Sequence, residues 1–477
     1  MQRMESSLRA HEIEDAVDRL LAPNRPSFRR PPDLDGIDGP APRSSVRQAA
    51  PAAEIAVESD AAMSRIVLVV PRYRGPDAAG LRTLAFPDAG KGGEGGPRAT
   101  SAATDRVRWT ARLGPKGADC ETLVEVLGWS DLPQAAIPTA IRGGFRASLR
   151  TLSTYASTGA FRRLWHLRRS AVLAGAARFA PLGAQAALAL VAGLASGRML
   201  AGSLAPLADA AGMPGWPVAL VGTLAGASAV LLILRAFRRN EDWLQAYDRL
   251  RGIAFLASRN GAYPSELEQR IAGFAERIGW ALRQPVREVV VVGQGDGAAL
   301  AVSALCEAVR WGELPDGAPA VSLLTLGQTI PLIGFLPDAG RLRADLRDMS
   351  LRRDICWVDM SDPEDLHAFA LSDPVAVCGV APEDRVGPLV LRAAPRRGAR
   401  PGARDVARDH GLTFQDRYLD ARPDGGRDPD WRRVLFGGLP VRRLLGGRPP
   451  SAGRIDVRGS AYVGTSRPRP EPDEDED

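Results

Sequence analysis

Lysine is nearly missing from this chain. Lys91 and Lys116 are the only two, and arginine carries the remaining positive charge. The net charge of +6 therefore reflects an arginine bias of the kind a GC-rich bacterial genome imposes. No Lys/Arg block interleaved with aromatics marks a nucleic-acid surface, so no nucleic-acid partner is expected. Cysteine is scarce as well. Cys120, Cys306, Cys356 and Cys378 form no C-x-x-C pair, and the last three lie in apolar runs. They read as buried thiols in a reducing compartment. His11, His166, His367 and His410 are dispersed and lack metal-ligand spacing, so no metal is expected. The chain starts without a basic stretch followed by an apolar core, so no cleaved secretory signal is expected. No internal repeat is evident.

What the sequence does have is a pair of long uncharged stretches. Phe179 to Gly197 is bracketed by Arg178 and Arg198, and Trp216 to Leu234 is closed by Arg235. Each is 19 residues, near the ~20 that a helix needs to span the hydrocarbon core. Arg162, Arg163, Arg168, Arg169 and Arg178 precede the first, and Arg235, Arg238 and Arg239 follow the second. The connector from Arg198 to Gly215 carries only Arg198 and Asp209. By the positive-inside rule this is a two-pass hairpin in a bacterial inner membrane, with both chain ends cytoplasmic and the bilayer as partner. Small residues at Gly183, Ala187 and Gly193, and at Gly222 and Gly226, allow close helix packing. Gly222-x-x-x-Gly226 also suits a homodimer. Two spans without an intramembrane charge offer no transport pathway. Before the hairpin, Ile137 to Arg169 mixes arginine with Phe145, Leu149, Leu152, Tyr155, Phe161, Leu164 and Trp165. That composition suits a basic amphipathic helix on the membrane surface or an ordinary packed helix.

Flanking the hairpin are strand-like runs at Arg65–Val70, Thr122–Leu127, Glu288–Val292, Ala320–Leu326, Ile355–Met360, Pro374–Cys378 and Pro388–Ala393. Helices are expected at Ser265–Leu282, opened by a Ser265/Glu268 capping box, and at Ala298–Trp311. The alternation predicts an α/β fold, a mostly parallel sheet with flanking helices. The expected organisation is a disordered region over 1–60 and first strands over 61–135. A juxtamembrane helical segment over 136–178, the hairpin over 179–235, the main α/β body over 236–445 and a disordered acidic tail over 446–477 follow. Asp88 to Ala103, rich in glycine, is expected to be loop.

The segment with the shape of a site is Val289-Val-Val-Val-Gly-Gln-Gly-Asp-Gly-Ala-Ala299, a buried strand, a glycine turn and a small-residue helix. It resembles the α/β-hydrolase nucleophile elbow G-x-S-x-G, whose strained turn needs small flanking residues. Gly293 and Gly297 fill the flanks, Gly295 stands at the nucleophile position and Gln294 before it. Leu323-Leu-Thr-Leu-Gly327 resembles the strand and glycine that follow the elbow helix in lipase-like members. Trp357-Val-Asp-Met-Ser-Asp-Pro-Glu-Asp365 resembles their acid-bearing segment, and Val69-Val-Pro-Arg-Tyr-Arg-Gly75 sits where the oxyanion loop belongs. With the hairpin, the span from Arg65 to Leu445 resembles proteobacterial inner-membrane hydrolase-like proteins. The resemblance implies an acid at Asp362 or Asp365 and a histidine near Leu412-Thr-Phe-Gln415, where Thr413 stands. His410 lies three residues earlier, and Arg72 and Arg74 crowd the oxyanion loop.

Gly295 has no side chain to attack a carbonyl, and an acid without its base only orients what is missing. The expectation is a membrane-anchored, catalytically inactive α/β-hydrolase-like scaffold or binding protein, with a protein partner and no cofactor. One alternative is an active ester, thioester or lipid hydrolase built on Asp296, His410 and Asp362. Against it, Gln294 lies where Asp296 as nucleophile needs a small residue. A second is a nucleotide-binding protein, because Gly293-x-Gly295-x-x-Ala298 also fits a dinucleotide fingerprint. The acid expected about 20 residues on is missing at Thr325-Leu326-Gly327-Gln328. The blandest reading is a tight strand-to-helix turn. An anion at that helix N-terminus would meet Asp296.

Overall fold

The computed structural model describes residues 63–75, 98–103, 106–112, 119–136, 141–177, 179–239, 246–312, 314, 317–393, 418, 434 and 437–467. The expectations for 1–60, for Asp473–Asp477, for His410 and for Thr413 lie outside the described residues. The strands are β1 Met63–Val70, β2 Arg98–Ala103, β3 Arg106–Arg112, β4 Asp119–Val126, β5 Glu288–Gln294, β6 Ala320–Leu326, β7 Ile355–Ser361 and β8 Leu389–Arg392. Between β4 and β5 lie α1 Asp131–Ala136, α2 Ile141–Ser157, α3 Ala160–Leu167, α4 Arg169–Ala177, α5 Ala180–Ala210, α6 Trp216–Arg239, α7 Ala246–Leu256 and α8 Ser265–Leu282. Then come α9 Gly297–Trp311, α10 Pro331–Gly334, α11 Gly340–Leu351, α12 Pro374–Val377 and α13 Val441–Leu445.

The fold is α/β. One sheet runs β2-β3-β4-β1-β5-β6-β7-β8. From β4 to β8 the pairings are all parallel, and β3 is antiparallel to both of its neighbours. β5 is buried at every position, as a central parallel strand with both faces covered must be. On one face Val289 and Val291 join the core of α8, α9 and α11. On the other, Val290 and Val292 meet Val434, Val441 and Leu445. The helix stripe Leu267, Ile271, Phe274, Ile278 and Leu282 is buried throughout. Cys306, Cys356 and Cys378 are buried free thiols, each pushed up to about 11 or 12 by burial.

Several local expectations give way. Arg98–Ala103, expected as loop, is β2. Pro374–Val377, expected as strand, is a single helical turn because the Asp373 carboxylate accepts from Val375 and Ala376 N–H at 3.1 Å. The capping box does not form. Pro264 is the N-cap of α8, and Glu268 turns to Arg341 instead (2.7 Å). Residues 446–467, assigned to the tail, lie along the body. Ile455 bridges to Ser372, and Arg343 donates to Gly464 O at 2.7 Å.

Both hairpin helices are long and apolar enough to cross a membrane, and only 11% of each span is buried. A core helix of that composition would be covered. The first helix does not stop at Gly197. Arginine is a good helix former, and α5 continues through Arg198 and Pro206 to Ala210. The helix is thus longer than the uncharged stretch, with Arg198 inside it. The two helices meet at glycines. A Cβ on Gly226 would sit 2.7 Å from Gly193 O, and one on Gly222 would sit 2.7 Å from Gly197 O. Gly222 and Gly226 thus serve the pairing of α5 with α6, whereas a Cβ on Gly183 would meet nothing within 4 Å among the described residues.

At the start of the sheet Arg65 of β1 faces Glu288 of β5. Arg65 Nε donates to Glu288 Oε2 at 2.8 Å, and its Nη2 to Leu439 O at 2.8 Å. Glu288 Oε1 accepts from Ser322 Oγ (3.0 Å) and Val441 N–H (2.8 Å). Both side chains are fully buried. Removing one member leaves a buried unpaired charge, at a cost of roughly 3–5 kcal/mol. Arg65→Met is expected to lower unfolding stability by about that amount, and Arg65→Met with Glu288→Leu to recover most of it, measured by denaturant unfolding of the detergent-solubilised chain. A double mutant no more stable than the single would refute this.

Candidate functional site

The sheet has one topological switch point. From β1 the chain moves to β2, β3 and β4 on one side, and from β5 it moves to β6, β7 and β8 on the other. In open α/β sheets the crevice beyond the strand C-termini at such a point is where ligands bind. Here it lies between the loop after β1 and the glycine turn after β5.

Gly295 is the apex of that turn, with φ 58, a left-handed conformation that glycine adopts without penalty. Its N–H donates to Leu326 O at 3.0 Å, and its carbonyl accepts from Thr329 N–H at 3.1 Å. The apex is thereby fixed to the turn after β6. The flanking glycines are held small by packing. A Cβ on Gly293 would lie 2.5 Å from Ala298 Cα, and one on Gly297 would lie 2.6 Å from Val70 O, with Pro71 O closer still. Backbone carbonyls therefore face Gly297 where a dinucleotide site would hold pyrophosphate. Gln328, past the end of β6, is buried and donates to Ser372 O at 3.1 Å, and no acid takes the ribose position. Gln294 is fully buried.

Asp296 reaches across the crevice. Its Oδ1 accepts the Tyr73 N–H at 2.7 Å. That N–H belongs to the loop which, by the hydrolase resemblance, would donate to an oxyanion. The loop is anchored around it. Trp129 Nε1 donates to Pro71 O at 2.9 Å, and Arg74 N–H to Ser130 Oγ at 2.8 Å. The Tyr73 ring lies against Gly252 of α7, where a Cβ would come within 2.8 Å of it. Arg72 Nη1 donates to Tyr73 O at 3.3 Å.

The two acids follow β7 and act in turns. Asp362 Oδ1 accepts from Glu364 N–H (2.9 Å) and Asp365 Oδ1 from His367 N–H (2.8 Å). These are side-chain-to-backbone bonds of the kind that favours Asp in turns. His367 Nδ1 stays 3.8 Å from Asp365 Oδ1, beyond hydrogen-bond reach. The group that does engage the acids is Tyr418. Its hydroxyl accepts from Asp362 N–H at 2.9 Å and donates to Asp365 Oδ2 at 3.0 Å. Its ring lies on Gly327. Tyr418 stands five residues after Thr413, just past the segment Leu412–Gln415 where the resemblance expects a histidine, a proximity that sequence reading could have used. Burial pushes the Asp362 carboxyl up to about 6 and raises Asp365 too.

A third acid escaped sequence reading. Asp359, a lone charge within the apolar run of β7, is fully buried. Oδ1 accepts from Thr325 Oγ1 at 2.5 Å, and Oδ2 has no partner among the described residues. Burial pushes this carboxyl up to about 8. Among the described residues no cluster of His, Cys, Asp and Glu is arranged to hold a metal. Comparison with protein-family models, with curated proteins and with solved structures found no match to this chain.

The folded state holds the Asp359 proton more tightly than the unfolded chain does. Its contribution to stability is therefore complete below the ordinary carboxylate range and is lost as pH rises through about 8. Asp359→Asn keeps an acceptor for Thr325 without the titration. Thermal unfolding of the variant between about pH 5 and about pH 9 is expected to vary less than that of wild type. Equal slopes would remove Asp359 as the source.

Proposed function

We propose that this chain is a membrane-anchored α/β-hydrolase-like protein that no longer does hydrolase chemistry and works as a scaffold or binding protein. The observation that carries the reading is the turn after β5. Its apex, Gly295, has no side chain, and the Asp296 carboxylate occupies the Tyr73 N–H beside it. A nucleophile is thus missing where covalent acyl transfer would begin. The loop donor that would stabilise the oxyanion is already bonded to an anion of the protein itself. The order of elbow, following strand and acid-bearing turn supports the hydrolase ancestry, and Tyr418 on Asp365 supports a site turned to structure.

The test is hydrolysis of short-chain nitrophenyl esters and acyl thioesters by the detergent-solubilised full chain. Wild type is expected to stay at the buffer rate, and Asp296→Asn to leave it there. Turnover by wild type that Asp296→Asn abolishes would replace this reading with an enzyme built on Asp296.

In the same reading α5 and α6 form a two-pass hairpin in a bacterial inner membrane with both chain ends cytoplasmic. Support comes from the outward apolar faces of both helices and from the arginines gathered at the hairpin's base. Arg198, inside α5, reaches the far headgroups with its long stem. Alkaline phosphatase inserted in the connector between Ala211 and Gly215 is expected to be active in cells, and the same enzyme fused after Asp477 inactive. The reverse pattern would invert the topology.

A further inference from the structure

The helix α2 is built inside out. Ser148, Thr151 and Thr154 are buried (7%, 4% and 8% exposed), while Leu149 and Leu152 are 65% and 44% exposed. A helix on a water-facing surface would place these residues the other way round. The exposed face also carries Arg146 and Arg150. The next two helices bury Ala160, Leu164, Ala171 and Val172 against the body, yet expose apolar side chains as well. Phe161 is exposed and stacked on Trp165, with ring centroids 6.2 Å apart. Arg162, Arg163, Arg169 and Leu173 are exposed as well. No Asp or Glu occurs anywhere between Asp131 and Asp209, so no acidic side chain from this stretch neutralises the arginines. The three helices are continuous with the hairpin. α2 packs on α6, and α4 packs on and leads into α5.

We propose that α2, α3 and α4 lie in the bilayer surface, Leu149, Leu152, Phe161 and Leu173 entering the acyl boundary and the exposed arginines binding anionic phospholipid headgroups. This rests on the membrane-anchored reading of the hairpin. Three observations select a lipid surface as the occupant. The outward leucines need an apolar phase. The arginines beside them need anions, and the face adjoins two helices whose own apolar sides are uncovered. A face mixing arginine with leucine and phenylalanine is what an interfacial helix presents to headgroups and acyl chains together.

The experiment uses the full chain reconstituted in vesicles and spin-labelled at one position at a time. The variants are Leu149→Cys, Leu224→Cys on the outward face of α6 and Val457→Cys on the exposed surface of the body. Collision with oxygen, which concentrates in lipid, is compared with collision with a water-soluble nickel chelate. In vesicles containing phosphatidylglycerol, the Leu149 label is expected to show an oxygen-to-nickel ratio several-fold above that of Val457 and below that of Leu224. In phosphatidylcholine alone, or with Arg146→Gln, Arg150→Gln and Arg162→Gln, the Leu149 ratio is expected to fall toward the Val457 value. A water-like Leu149 beside a lipid-like Leu224 overturns this proposal and leaves the hairpin reading standing. A water-like Leu224 overturns both. A Leu149 label shielded from both reagents overturns it in favour of a second copy or a protein partner. A ratio that is the same in neutral and anionic vesicles overturns the anionic-lipid assignment.

Discussion

The buried pair of Arg65 and Glu288 fixes the relation on which the remaining architecture depends. It joins β1 to β5, the two strands whose C-terminal loops form the crevice, and sets them in one register. The same two side chains hold the late segment through Leu439 O and Val441 N–H. A buried pair held by this many hydrogen bonds favours the one register that forms them all. Sliding β1 by one residue against β5 would turn every valine of β1 to the opposite face. The alignment of the Pro71–Tyr73 loop with the Gly295 turn, at the other end of the strands, is inherited from that register.

Much of this fold was legible in the sequence because the signals were strong and local. The valine run of β5, the stripe of α8 and the long apolar stretches of the hairpin each carry their signal in a window of a few turns. The failures have equally local causes. Arg106-Val-Arg-Trp-Thr-Ala-Arg112 alternates like a strand, but its arginines hide it in an arginine-rich chain. Pro374–Val377 is too short for periodicity to separate strand from helical turn, although Asp373 before it is a helix-capping residue. Arg198 read as the end of a span, but a charge does not end a helix that its neighbours favour.

The site was legible only in outline. The glycines of the elbow announce themselves, and the absence of a nucleophile is plain. What the crevice contains depends on contacts between distant segments. Asp296 and Tyr73 are 223 positions apart, and Tyr418 is 53 from Asp365. No spacing rule connects such residues. The same is true of α2, whose outward leucines and inward threonines become unusual only once the faces are known.

The hairpin interrupts the chain between β4 and β5, the two strands that flank β1. This placement divides the making of the sheet in time. When the hairpin leaves the ribosome and, in the membrane-anchored arrangement, enters the bilayer, β1 has β4 along one edge and open hydrogen-bonding groups along the other. More than a hundred residues separate the end of β4 from the start of β5. At ~5–20 residues per second, that edge stays open for roughly ten to thirty seconds. In that arrangement membrane insertion comes before the sheet is complete, and half a sheet waits at the membrane for the strand that completes its crevice.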